Sequence, residues 1–159
     1  MLIIADSSAL IALAACHCLE LLDSLFTEVL VPEAVFNELV IEGKTVAEKL
    51  SLYLRDKVRH IDHTLVIINT SGLGSGELEA MALYKQLNAD YLLVDDKRAR
   101  KVAKLNHINV IGSQGILLLA KKQGLIAEVK PFLNKLSLSE IYIHERLIAK
   151  TLRLANEKD

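Results

Sequence analysis

Leu2-Ile3-Ile4-Ala5-Asp6 is the stretch of sequence that decides the fold: a short, continuous apolar run that ends in an acidic residue. The same arrangement returns at Tyr91-Leu92-Leu93-Val94, which is followed by two further acids. Uninterrupted apolar runs of this length are typical of strands buried on both faces, as in a parallel sheet. Three similar runs, at Val29–Val31, Leu65–Ile68 and Asn109–Ile111, predict further strands.

Longer segments with helical periodicity and good helix formers separate these runs. They predict helices at Ser8–Leu22, Glu33–Glu42, Val46–Leu54, Ser75–Asn88, Arg98–Asn106, Gly115–Gln123, Val129–Leu136 and Glu140–Ala155, the last with Ser139 as its N-cap. Between Lys57 and Asn69 the pattern assigns no element beyond the run already named. The alternation predicts an α/β fold, a three-layer sandwich in which helices flank a mostly parallel central sheet.

Composition limits the class of protein. A chain of 159 residues, 52% of them apolar, fits a single domain over residues 1–159. Lys and Arg total 19 against 20 Asp and Glu, so no chain-wide basic field exists and any site for a polyanion must be local. No apolar run approaches the roughly 20 residues of a membrane-spanning helix. Because no basic leader precedes Asp6, we expect a cytoplasmic protein that does not engage membranes.

The cysteines and histidines do not suggest a metal or disulfide framework. Cys16 and Cys18 are two apart on a predicted helix, so we expect them to point to different faces as small core residues. His60 and His63 lack a third ligand at matching spacing, which argues against zinc.

Acidic residues mark the ends of strands and the starts of helices. Asp6, Asp95 and Asp96 directly follow apolar runs, Glu38 borders the apolar face of a predicted helix, and Glu77 lies in the first turn of another. Each could simply cap or favour a helix N-terminus. Together, however, they would meet at the carboxyl edge of a parallel sheet, where their repulsion calls for a divalent cation. All-oxygen ligands favour Mg²⁺ or Mn²⁺.

Taken in order, these motifs resemble a PIN domain over nearly the whole chain. The similarity is to a small prokaryotic, toxin-like subgroup with Gly-Glu and Asp-Asp-Lys-Arg-Ala-Arg signatures. It rests on Asp6-Ser7-Ser8-Ala9-Leu10-Ile11, Val31-Pro32 with Glu38, Gly76-Glu77 with Ala80, Leu93-Val94-Asp95-Asp96-Lys97-Arg98-Ala99-Arg100, Val110 through Leu118, and Tyr142 through Leu147.

The resemblance implies a metal-dependent ribonuclease. Asp6, Glu38, Glu77 and Asp96 would be the catalytic acids and ligands of Mg²⁺ or Mn²⁺, with Asp95 as a further metal ligand. Ser8 would steady a ligand or the substrate phosphate. The chain departs from the pattern at Val94 and Ser75, where many relatives have a hydroxyl residue and an acid, respectively.

The densest basic segment begins directly after the last acid, and we expect it to contact RNA phosphates. Its members are Lys97, Arg98, Arg100, Lys101 and Lys104. On a helix the three lysines share one face. The alternatives are a solvated surface helix, or pairing of Arg98 or Arg100 with the acids.

Other functions fit the sequence less well. A dinucleotide-binding loop at Gly72–Gly76 has the wrong glycine spacing, and Glu77 would repel a pyrophosphate, so we expect no nicotinamide nucleotide. A phosphatase forming an aspartyl-phosphate typically needs an acid where Ser8 stands. The remaining alternative is a catalytically silent PIN-like module that binds nucleic acid or a partner.

The apolar helices Ser8–Leu22 and Gly115–Gln123, together with the family resemblance, predict a homodimer, and the toxin-like subgroup implies an antitoxin partner.

Overall fold

A computed structural model describes residues 1–41, 45–62, 64, 67, 70–139 and 143–158. The strands are β1 (Leu2–Ala5), β2 (Glu28–Pro32), β3 (Val58–Arg59), β4 (Tyr91–Leu93) and β5 (Val110–Ile111). The helices are α1 (Ser7–Ala15), α2 (Glu20–Leu25), α3 (Glu33–Ile41), α4 (Thr45–Leu54), α5 (Ser75–Leu87), α6 (Lys97–Leu105), α7 (Ser113–Lys122), α8 (Lys130–Ser137) and α9 (Glu145–Leu154).

The strands form one sheet in the order β3-β2-β1-β4-β5, and every pairing is parallel. The central strand is β1, whose Ile3 stands beside Val29 of β2 on one side and Tyr91 of β4 on the other. In a parallel sheet all strands end at the same edge, so Asp6 and the acids after β4 are brought to one rim. The predicted α/β class and parallel sheet are confirmed.

Helices cover both faces of this sheet. The consecutive residues Ile3, Ile4 and Ala5 point alternately to the two faces, and all three are fully buried. Helix α5 packs on β1, β2 and β4, whereas α7 packs against α1, α2 and α9. The three layers enclose an apolar core that explains the unbroken apolar character of the central strands.

The first predicted helix is wrong as one continuous element. It divides into α1 and α2, because Cys16 ends α1 and His17 adopts a left-handed conformation with φ 55°. The turn also overturns our prediction for the cysteines: it brings the buried sulfurs of Cys16 and Cys18 within 3.4 Å of each other. Both remain free thiols in the core, as expected of small buried residues.

Two other boundaries differ from expectation. The fifth strand of the sheet is the two-residue β3, whereas residues 65, 66 and 68 of the predicted strand Leu65–Ile68 lie outside the described residues, as does His63. Helix α9 begins at Glu145 with His144 as its N-cap, not at residue 140 with Ser139, and residues 140–142 also lie outside the described part. Among the described residues, no helix is long and apolar enough to cross a membrane.

Candidate active site

Asp6 is the most buried acid at the rim. Its backbone N–H donates to Leu93 O over 2.8 Å, which joins the end of β1 to the end of β4. The residue occupies the N-cap position of α1, yet its side chain makes no capping hydrogen bond. Asp6 is only 2% exposed, and within the described residues its buried Oδ1 has no hydrogen-bond partner. Helix capping therefore does not account for Oδ1 of this carboxylate.

The surroundings of Asp6 are electrostatically unfavourable for a charge. Burial raises the pKa of its carboxyl to about 7, and the negative charges of Glu77, Glu38 and Asp96 add to the rise, while a backbone hydrogen bond from Ser7 opposes it. The fold thus places Glu77, Glu38 and Asp96 near enough to Asp6 for their charges to act on its carboxyl. Their roles as catalytic acids and metal ligands stay a prediction.

Gly76 allows two of these acids to approach α5. A Cβ placed there would lie 2.6 Å from Glu38 Oε2 and 3.9 Å from Asp6 Oδ1. This spatial role of Gly76 was not predicted from the sequence, where the residue was only part of a motif; a glycine within the first turn of a helix was the available signal. Glu38 itself is exposed, while Val35 and Leu39 beside it on α3 are buried, so it lies next to the buried face and not within it.

Two of the acids also cap helices. Glu77 Oε2 accepts a hydrogen bond from Gly74 N at 2.6 Å, and Asp96 Oδ2 accepts one from Ala99 N at 2.8 Å. For these two residues, the alternative that an acid caps a helix N-terminus is supported by hydrogen bonds in the structure. In each case the other carboxylate oxygen has no hydrogen bond among the described residues.

The donor set suits a hard divalent cation. Within the described ranges, no three Asp, Glu, His or Cys side chains are gathered tightly enough to hold an ion. Even so, the buried, unpartnered Oδ1 of Asp6 and the surrounding carboxylates are the oxygen ligands that Mg²⁺ and Mn²⁺ prefer. A cation here would satisfy Asp6 and relieve the repulsion.

Asp95 is engaged differently from the other acids. Its Oδ1 accepts from Ser113 N and its Oδ2 from Ser113 Oγ, both at 2.7 Å. The carboxylate therefore joins the end of β4 to the first residue of α7. A charge at a helix N-terminus is stabilised by the backbone dipoles, which explains the placement without a metal.

Ser8, on α1 two residues after Asp6, has a buried Oγ with no hydrogen-bond partner in the described chain. It borders a cavity of about 600 Å³ that Asp95 and Asp96 also line. The predicted phosphate-steadying hydroxyl is thus placed beside the acidic rim.

The basic segment divides into two groups. Lys97, Lys101 and Lys104 are exposed on α6, as the helical spacing predicts. Arg98 instead packs against Gly72, a loop residue with φ 82° whose lack of a side chain leaves room for the guanidinium group. Arg100 Nη1 donates to Val94 O at 2.9 Å. The lysines are therefore the freer cations for a polyanion, while the arginines also support the loops around the rim.

Comparison with known proteins gives a consistent result. A family model described as a PIN domain (DUF3368) matches residues 2–157. A solved structure, a PilT N-terminus domain protein from the hyperthermophilic archaeon Sulfolobus solfataricus P2, superposes with a TM-score of 0.55 at 20% sequence identity, covering 91% of this chain and 99% of that one. This likeness shows a shared fold. A search of curated proteins found no match.

Proposed function

The chain belongs to the PIN-domain family, and from that premise we propose that it is a Mg²⁺- or Mn²⁺-dependent endoribonuclease that hydrolyses RNA phosphodiester bonds. The observation that carries the proposal is Asp6, a buried carboxylate whose Oδ1 has no hydrogen-bond partner among the described residues and whose carboxyl feels the charges of three further acids. Such a cluster is costly to fold unless a cation binds it.

Asp6, Glu38, Glu77 and Asp96 would hold the metal. When bound, the ion supplies a water of lowered pKa and neutralises charge on the phosphate in the transition state. Asp6 contributes a rigid position, because its backbone is fixed between β1 and β4. The hydroxyl of Ser8 is placed to donate to a phosphate oxygen. No protein nucleophile is then needed.

The exposed lysines of α6 would hold the RNA backbone next to this site, since the helix begins directly after Asp96. Local positive charge compensates for the net charge of −1. Asp95, whose oxygens are both engaged by Ser113, would position α7 at the rim.

We further propose that the protein is the toxin of a toxin–antitoxin pair, restrained by an antitoxin protein. The support is the similarity of Gly76-Glu77 and Asp95-Asp96-Lys97-Arg98-Ala99-Arg100 to the toxin-like subgroup. A neighbouring gene for a small DNA-binding protein is the expected genomic arrangement.

A second candidate function is a PIN-like module that binds nucleic acid or a partner without catalysis. It is favoured by the cap hydrogen bonds of Glu77 and Asp96 and by the absence, in the described ranges, of three acids gathered as a metal site. Binding of Mn²⁺ by the purified protein separates the two candidates, because only the nuclease requires it.

The decisive experiment compares Asp6→Asn with the native protein on a labelled RNA in Mn²⁺. The substitution removes a negative ligand with little change in volume, so we expect cleavage to be lost while the far-UV circular dichroism spectrum is retained. The control Glu128→Gln changes an exposed acid of the same charge and should leave cleavage intact. Cleavage that persists in excess chelator, or in Asp6→Asn, would overturn the proposal.

A further inference from the structure

We propose that the cavity beside the acidic rim binds one unpaired nucleobase of the RNA, next to the phosphate that is cleaved. The inference rests on the proposed ribonuclease function and adds a source of sequence preference to it. The cavity lies between β5, α7 and α9 and encloses about 600 Å³. That volume is within the range of pockets that bind small ligands, and it can hold a nucleotide-sized group.

The cavity is continuous with the proposed active site. Ser8 and Asp96 form part of its wall, so one end of the cavity is also the edge of the acid cluster. A phosphate held at the acids would therefore present its neighbouring base to the cavity. RNA-binding proteins commonly read bases that are turned out of a single strand in this way.

The walls suit the flat, weakly hydrated faces of a base. Ile111 of β5, Leu118 of α7 and Leu147 of α9 line the cavity on different sides. Leu147 is 47% exposed, so this apolar surface is not covered by the rest of the described chain. An inserted base would shield it from water.

A buried polar pair in the same wall supplies a group that can distinguish base edges. Gln114 is 9% exposed, and its amide contacts the hydroxyl of Thr151, which also lies 2.7 Å from Leu147 O. The contact engages the amide oxygen of Gln114, so on this proposal the amide nitrogen is the group that donates to a ligand in the cavity. An amide N–H pairs with acceptor atoms on a base edge, and the positions of these acceptors differ among the four bases.

The cavity carries charge as well as apolar surface, which favours a nucleotide over an uncharged apolar occupant. Lys150 of α9 and Arg100 of α6 line it along with the apolar residues, and Asp95 and Asp96 line it next to the acid cluster. A nucleotide combines an apolar base with an anionic phosphate and so matches both parts of the lining. An apolar peptide segment would match only the first part.

Binding tests the inference independently of catalysis. The four ribonucleoside 5′-monophosphates are titrated into Asp6→Asn, and binding is followed by NMR shifts of the leucine and isoleucine methyl groups. We expect at least one nucleotide to shift the methyl signals of Leu118 and Leu147. We also expect Leu147→Trp, which fills the cavity from its exposed rim, to weaken that binding roughly tenfold or more. The matched control is Leu138→Trp, at a side chain that is 90% exposed on the far end of α8.

Cleavage provides the second readout. On RNA of random sequence, Gln114→Met should flatten the nucleotide preference at the position flanking the cut. Because Gln114 is buried, Lys150→Gln, at an exposed residue of the cavity wall, tests the same cavity without a change in the core. Nucleotide binding in the cavity without any cleavage would contradict the nuclease while supporting the pocket. Absence of nucleotide binding at millimolar concentration, a base preference unchanged in Gln114→Met and Leu147→Trp, or methyl shifts produced by peptides but not by nucleotides would overturn the pocket.

Discussion

Asp6 is the residue on which the site depends, and its burial makes the stability of the fold sensitive to pH. Its pKa is about 7 in the folded protein against an ordinary value of 3.8. Between these two values the folded chain keeps a proton that the unfolded chain has released, so the free energy of unfolding falls as pH rises from about 4 to 7. The loss attributable to Asp6 is roughly 4 kcal/mol.

This effect gives a prediction for the metal-free protein. At pH 8 in chelator, Asp6→Asn should melt at a higher temperature than the native chain, because it carries no buried charge, and the difference should vanish near pH 4. Adding Mn²⁺ at pH 8 should raise the melting temperature of the native protein and leave that of Asp6→Asn unchanged. Thermal denaturation across this pH range is the measurement, and equal melting curves at pH 8 would contradict it.

We predict that Gly76→Ala lowers activity without lowering stability. In Gly76→Ala the new methyl group would meet Glu38 Oε2 at 2.6 Å, which a flexible side chain relieves by moving away. Helix propensity favours alanine by up to about 1 kcal/mol, so we expect unchanged or greater stability. The displaced carboxylate should lower kcat/KM by about tenfold or more.

The matched control is Ser75→Ala, one residue earlier in the same helical turn. Melting temperature and kcat/KM measured on both variants decide the matter. Full activity in Gly76→Ala would show that the position of Glu38 is not needed.

At the residue scale, sequence predicted that Glu38, Glu77 and Asp96 lie near Asp6, but not how each is held. Asp6, Glu77 and Asp96 follow directly from strand ends and a helix start, positions that a parallel sheet brings together. The exposure of Glu38 and its proximity to Gly76 depend on how α3 packs against α5, which is a tertiary contact without a local pattern. The contact of Gln114 with Thr151 joins α7 to α9, and no local sequence pattern predicts it either.

Helix α6 is the element proposed to hold the RNA backbone. Replacing Lys101 and Lys104 by Gln should weaken binding and reduce the slope of log affinity against log salt by about 0.7 for each phosphate that the variant no longer neutralises. The double variant Lys122→Gln/Lys158→Gln removes the same charge outside α6 and serves as the control. Binding measured over a salt series gives both quantities. An unchanged slope in the α6 variant would show that α6 is an ordinary solvated helix that does not contact the RNA.

The elements that sequence predicted well are those with strong local signals. The strands β1 and β4 are uninterrupted apolar runs, and α5 has periodic apolar residues and ends at Asn88 in a left-handed conformation. The break between α1 and α2 was missed because His17, rather than a glycine, adopts the left-handed conformation there. The short β3 was missed because its two residues depend on pairing with β2 and have no pattern of their own.

For the whole molecule we predict a homodimer. The apolar residues of α1 that suggested it are largely absorbed by the core, but Ile41 and Leu52 remain 81% and 63% exposed. Light scattering over a concentration series should give about twice the 17.6 kDa mass of one chain. A monomeric mass at every concentration would refute the dimer and leave the nuclease proposal intact.

The central position of β1 has a consequence for the protein during its own synthesis. Strand β1 leaves the ribosome before β4, and Asp6 is fixed only when Leu93 arrives to accept its backbone hydrogen bond. The carboxylates of Glu77 and Asp96 are also added well after Asp6. A nascent chain therefore carries scattered acids rather than a cluster, and on the proposed function it cannot cut the messenger RNA from which it is being read until β4 has emerged and paired.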